Sequence, residues 1–159
     1  MKRFFTILLT VILTLCIAIT ALTVLLSYLF APKDSILNSL PDYIEKEFYT
    51  CGGFQDYTDY AKYTYQISET PLIHSPYFLR VTDENIPKLL TYIENFESWV
   101  ESCSDFPAEE YDFDKSMIQE GDYFYILNRY NDPEAEFDNY NVYYFDLDAQ
   151  ILYYFHNNI

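Results

Sequence analysis

Twenty-seven consecutive residues near the start of the chain, Phe4 to Phe30, carry no charge. The run reads FFTILLTVILTLCIAITALTVLLSYLF, and only Thr, Ser, Cys and Tyr interrupt its apolar side chains. As a helix it would measure about 40 Å, more than the roughly 30 Å hydrocarbon core of a bilayer, with tilt absorbing the excess. The expectation is an N-terminal transmembrane helix over residues 4–30, attaching the chain to a membrane. A cleaved signal peptide carries an apolar stretch of only about 7–15 residues and a small-x-small cleavage site. Here the exit reads Leu29-Phe30-Ala31-Pro32, so the anchor is read as uncleaved.

Two processing signals are disfavoured. Cys16 follows the bulky Leu15 and precedes further apolar residues, unlike a lipoprotein cysteine, and reads as a small hydrophobe. The run contains neither Gly nor Glu, which a pilin leader would want. Lys2 and Arg3 stand before it, and Lys33 is the first basic residue after it. By the positive-inside tendency the N-terminus is expected in the cytoplasm and the C-terminal domain outside it. The expected organisation is a basic end (1–3), an anchor (4–30), a short tether (31–40) and one domain (41–159).

Charge is distributed unevenly. The chain holds 9 Lys+Arg and 25 Asp+Glu, for a formal charge of −16. Lys2 and Arg3 precede the run, so residues 31–159 carry 7 basic and 25 acidic side chains, a formal charge of −18. A field of that sign repels nucleic-acid phosphate and anionic lipid headgroups, so no nucleic-acid partner is expected. Half of the residues are hydrophobic and 20% are aromatic, which argues against disorder. A domain of this length can bury one core.

Several elements can be read from spacing. Pro41 to Thr50 reads as a helix, with Tyr43, Ile44, Glu47 and Phe48 on one stripe and Cys51-Gly52-Gly53 as its stop. Phe54 to Ile67 fits either a helix or a strand. Leu72 to Pro76 reads as loop between Pro71 and Pro76, and Tyr77 to Val81 as a short strand. Ile86, Leu89, Leu90, Ile93, Phe96, Val100 and Cys103 recur at intervals of three and four, which predicts an amphipathic helix. Asp83 to Asn85 offer caps for it, and Pro87 suits its first turn.

The C-terminal third predicts an antiparallel meander. Its strands are DYFYILNRY (122–130), YNVYYFD (140–146) and ILYYFH (151–156), with a polar loop at 131–139 and a tight connection at 147–150. The expected fold class is therefore α+β, with helices packed on a β-meander behind the transmembrane helix. Both faces of the last two strands carry aromatics, so either other segments cover the second face or an aromatic surface is exposed. Tyr143, Phe145, Tyr154 and His156 are the candidate contact face.

No catalytic constellation stands out. His74 and His156 are the only histidines, and nothing marks Ser75 beside His74 as an activated nucleophile. Cys51 and Cys103 lack zinc spacing. In an exported domain they are candidates for a disulfide, which the chain-entropy model values at roughly 4 kcal/mol. Asp132, Glu134, Glu136 and Asp138 alternate like calcium-loop ligands but lack the sixth-position Gly and twelfth-position Glu, so they make only a weak metal candidate. A second acidic run, Asp105, Glu109, Glu110, Asp112 and Asp114, interleaves Tyr111 and Phe113. No carboxylate pair is singled out for sugar hydrolysis, and no glycine loop cradles phosphate.

No enzyme activity and no cofactor are expected. The expected function is a single-pass envelope protein whose exported acidic domain binds a macromolecular partner, either a basic protein or an envelope polymer. The alternative is a membrane-tethered inhibitor or immunity-type protein that occludes a basic target with the acidic stretches 105–114 and 132–138.

Overall fold

The computed structural model describes residues 13–23, 34–53, 56–104, 106, 108–130 and 132–159. The chain divides into two units, Met1–Ser35 and Ile36–Ile159. In the first, residues 13–23 form a helix (α1). At about 1.5 Å per residue this described stretch spans about 16 Å. No helix among the described residues is long and apolar enough to cross a membrane. This corrects the expected transmembrane helix over 4–30. Residues 1–12 and 24–33 lie outside the described residues.

The second unit contains strands β1 (Glu45–Gly52), β2 (Tyr57–Thr64), β3 (Leu79–Arg80), β4 (Tyr123–Asn128), β5 (Asn139–Asp146) and β6 (Ile151–Asn158). Its helices are α2 (Thr70–His74) and α3 (Ile86–Ser102), with short 3-10 turns between elements. All strands join one antiparallel sheet in the order β1-β2-β6-β5-β4-β3. The expected three-strand meander is thus half of a larger sheet. A β1–β2 hairpin docks onto β6, so β6 lies inside the sheet with β5 as its other neighbour.

The expected helix at 41–50 is absent: residues 45–50 belong to strand β1, and 41–44 lead into it. Tyr43, Ile44, Glu47 and Phe48 mimic a helical stripe, but the same residues also alternate. Lys46, Phe48 and Thr50 share one face, and Glu45, Glu47, Tyr49 and Cys51 share the other. Pairing with β2 along the full eight residues decides between the patterns. The Gly pair read as a helix stop is part of the hairpin connection. Gly52 sits at φ +108°, where an added Cβ would run into the Asp56 carbonyl. The ambiguous stretch after it resolves as β2. The expected loop at 72–76 includes the C-terminal turn of α2, whose first turn takes Pro71 without loss because that N–H needs no partner.

Two connections cross the sheet, one on each face, and this is why both faces are aromatic. After β2 the chain passes across one face to reach β3 at the far edge, burying Tyr65, Leu72 and Phe78 against Tyr63, Tyr143, Phe145, Leu152 and Tyr123. It then returns across the other face as α3 and the segment beyond it. There Leu89, Tyr92, Ile93, Phe96, Phe106 and Phe113 pack on Tyr60, Tyr140, Val142, Tyr144, Tyr153 and Phe155. Phe155 is the hub, with the Phe113, Phe96 and Tyr60 rings 5.0, 5.2 and 5.7 Å away. Edge and tilted ring contacts of this kind add to the burial of each ring.

α3 occupies the span its apolar period predicts, with a proline in its first turn. Its cap differs from expectation. Asn85 stands at the N-cap, but its side chain turns back to accept from Thr82 N at 2.9 Å and donate to Arg80 O at 3.0 Å. Cys103 follows α3 and is disulfide-bonded to Cys51 on β1, with Cα atoms 6.5 Å apart. That spacing lies within the range a disulfide requires.

Candidate functional site

The high tyrosine and acid contents prove to be one feature. Among the described residues, the hydroxyls of Tyr49, Tyr60, Tyr92, Tyr111, Tyr123 and Tyr144 each reach a carboxylate. A buried ring gains by satisfying its hydroxyl, and a carboxylate is a strong acceptor for it. Much of the negative charge is therefore built into the core boundary.

The densest group of these contacts lies along β1. The chain after α3 runs beside that strand and is fastened to it at three levels. Cys103 is bonded to Cys51, Glu110 accepts from Tyr49 at 2.9 Å, and Asp112 shares Lys62 with Glu47. Lys62 Nζ lies 2.9 Å from Glu47 and 2.8 Å from Asp112. Tyr60 donates to the second oxygen of the same Asp112 at 2.8 Å. Nearby, Lys115 lies 2.9 Å from Glu97 and 3.5 Å from Glu94, and Tyr111 donates to Glu97 at 3.1 Å. Asp114 caps the next 3-10 turn by accepting from Ser116 N. The result is a ridge of carboxylates centred on Glu47, Glu110 and Asp112, with Glu45, Glu109 and Asp114 next to them along β1 and residues 108–114. Acids engage Lys62 and Lys115, while Lys46 lies on the opposite face of β1.

Titration behaviour follows from these contacts. Burial works against the Lys62 charge, yet the hydrogen bonds to Asp112 and Glu47 outweigh it and raise its pKa. Burial likewise opposes the Asp112 charge, and bonds from Lys62 and Tyr60 overcome it and lower its pKa. Tyr49 is pushed up to about 12, first by its bond to Glu110, then by burial and by Glu47. Tyr60 and Tyr111 are raised further by burial and by their acid partners. Lys62 and Asp112 thus keep their charges, and Tyr49, Tyr60 and Tyr111 stay neutral, across physiological pH.

The sequence-predicted contact face is largely buried. Tyr143 and Phe145 are fully buried and His156 is 4% exposed. Tyr154 is half-buried, and its ring stacks on His156 at 6.2 Å. His156 Nδ1 donates to the Tyr140 carbonyl at 2.9 Å, which fixes the tautomer. Burial lowers its pKa, outweighing that hydrogen bond. These residues belong to the sheet interior, because the crossing connections could not be assigned to faces from local sequence.

The alternating acids of the β4–β5 connection do not converge either. The Asp132 carboxylate caps its own 3-10 turn by accepting from Glu134 N, and Glu136 accepts from Tyr92 on α3 at 2.6 Å. Asp132 and Asp138 line an open recess of about 650 Å³ with Tyr130, Pro133, Ala135 and Ile159. No group of His, Cys, Asp and Glu among the described residues is placed to hold a metal ion. His74 bonds the Thr70 carbonyl within α2, and Ser75 Oγ meets Ser39 Oγ at 2.9 Å, so the two do not act on one another. Asp105 lies outside the described residues.

No family model, curated protein or solved structure matches the chain. The chemistry of the ridge must therefore speak for itself. Carboxylates gathered along one strand can hold cations. Sequence reasoning singled out Glu109, Glu110, Asp112 and Asp114 as an acidic run but missed Tyr49, Tyr60, Glu47 and Lys62. The available signal was the interleaving of Tyr111 and Phe113 with those acids, since rings that point inward leave their neighbours at the surface.

Proposed function

We propose that the domain binds a basic macromolecular partner through the carboxylate ridge along β1 and residues 108–114. The observation that carries this reading is the double engagement of Lys62 by Glu47 and Asp112. With its central cation neutralised internally, the ridge presents uncompensated negative charge on an ordered scaffold. Such a surface favours lysine- or arginine-rich proteins and speeds their encounter in a salt-dependent way.

The compartment we propose is extracytoplasmic. The Cys51–Cys103 bond supports it, because disulfides persist in oxidising surroundings and are rare in the cytosol. An inhibitor reading uses the same ridge, which includes part of the 105–114 stretch, to occlude a basic active site. The 132–138 stretch does not share in it, being tied to α3 through Glu136.

The test is binding of polylysine to the full chain at low and high salt. Wild type binds at low salt and releases as salt rises. Glu45→Lys with Glu109→Lys weakens binding about tenfold or more, while Glu134→Lys, outside the ridge, changes it little. Equal binding by all three proteins would contradict the proposal.

A further inference from the structure

The sheet has two outer edges, and they differ in length and charge. At one end β3 pairs with only two residues of β4, and one of its own two residues is the basic Arg80. At the other end β1 offers eight residues, and among the described residues no strand lies beyond it in the sheet. Register tells which of its backbone groups face outward. Gly53 N donates to Asp56 O, which places a hydrogen-bonded pair at that step of the β1–β2 ladder. Bonded pairs then alternate through 51, 49, 47 and 45, so Lys46, Phe48 and Thr50 aim their N–H and C=O groups away from β2. An edge like this is a template for another strand.

Side chains beside the edge specify its occupant. On one face stand Glu45 and Glu47, with Glu110 behind Tyr49. On the opposite face Phe48 is 47% exposed and Ile44, just before the strand, is 66% exposed. An added strand therefore meets acid on one side and, on the other, apolar surface on which the Lys46 side chain lies. A second copy of this chain is disfavoured, since it carries the same acids and the same net negative charge. Lys46 lies 4.9 Å from the Phe48 ring centroid. A cation on an edge strand further discourages self-pairing.

We infer that an extended partner segment alternating basic and apolar residues adds to the outer edge of β1 as a seventh strand. Backbone bonds to Lys46, Phe48 and Thr50 hold it, basic side chains face Glu45 and Glu47, and apolar ones cover Phe48. This is the β-augmentation mode of peptide recognition, in which main-chain bonds supply affinity and alternate side chains supply specificity. The inference rests on the proposed basic-partner reading and gives it a docking mode.

The test uses a fluorescent peptide alternating lysine and valine, and the same peptide with every backbone nitrogen methylated. Both have the same charge and side chains, but only the first can donate to a strand edge. Titrated against the full chain at low salt, the methylated peptide is expected to bind about tenfold or more weakly. Thr50→Pro, which removes an outward N–H and leaves the β1–β2 ladder bonded, should weaken the ordinary peptide similarly. If that variant loses its sheet by circular dichroism, the methylated peptide alone decides. Equal affinity of the two peptides, released by salt, would overturn strand addition and leave the basic-partner reading standing. No binding of either peptide would overturn both.

Discussion

Tyr60 and Asp112, fifty-two positions apart in sequence, meet at 2.8 Å where the buried face of β2 opens onto the acidic ridge. The tyrosine ring is fully buried against Phe155 and Tyr111, while the carboxylate is 53% exposed and also holds Lys62. One residue pair thus joins the core to the ridge, and its hydroxyl can be removed without emptying the core.

Tyr60→Phe is expected to cost about 1 kcal/mol, the typical worth of one hydrogen bond, with the ring contacts kept. Lys62→Gln should also cost about 1 kcal/mol, because it leaves Glu47 and Asp112 facing one another, and exposure of both acids limits the effect. Salt should shrink the second loss and leave the first unchanged. Urea unfolding midpoints at low and high salt measure both.

The disulfide fastens the start of the ridge segment to β1 across 52 residues of chain. Reduction, or Cys51→Ser with Cys103→Ser, is expected to lower stability by about 2–4 kcal/mol. Oxidised and reduced protein should therefore show clearly separated unfolding midpoints. Mass spectrometry of alkylated protein should find Cys51 and Cys103 unmodified until reductant is added. Prompt labelling of both without reductant would contradict the bond.

His156 provides a pH dependence with a definite sign. Burial lowers its pKa below 6.5 in the folded state, against the opposing bond to the Tyr140 carbonyl, with Asp59 and Arg129 as the nearby charges acting on it. The unfolded chain then binds the proton more readily than the folded one. Stability from this group is full above the unfolded value and is lost as pH falls through the folded one. Thermal midpoints should drop more steeply below about pH 6.5 in wild type than in His156→Gln. Parallel curves would remove His156 as the cause.

Local pattern revealed some elements and concealed others for physical reasons. α3 was legible because Leu89, Ile93 and Phe96 repeat at its own period and bury one face. The last strands were legible because aromatic density and a tight connection favour pairing between neighbours. β1 was concealed because its partners are decided across the hairpin, and Tyr43, Ile44, Glu47 and Phe48 satisfy two periods at once. The uncharged run from Phe4 shows the limit of composition: hydropathy invites a spanning helix, and no helix among the described residues is long and apolar enough to cross a membrane. The ridge was hidden for another reason. Tyr49 and Glu110 lie 61 positions apart, so no window of sequence contains both. The buried face around Tyr143 was hidden likewise, since which connection crosses which face is a property of the whole topology.

The central claim, that a basic partner engages the carboxylate ridge at β1, is tested most directly by mapping amide shifts of isotopically labelled protein during titration with the lysine–valine peptide. The account predicts that perturbations concentrate on residues 45–50 and 108–114 and that they vanish at high salt. Perturbations confined to residues 132–138, or spread evenly over the acidic surface, would contradict it.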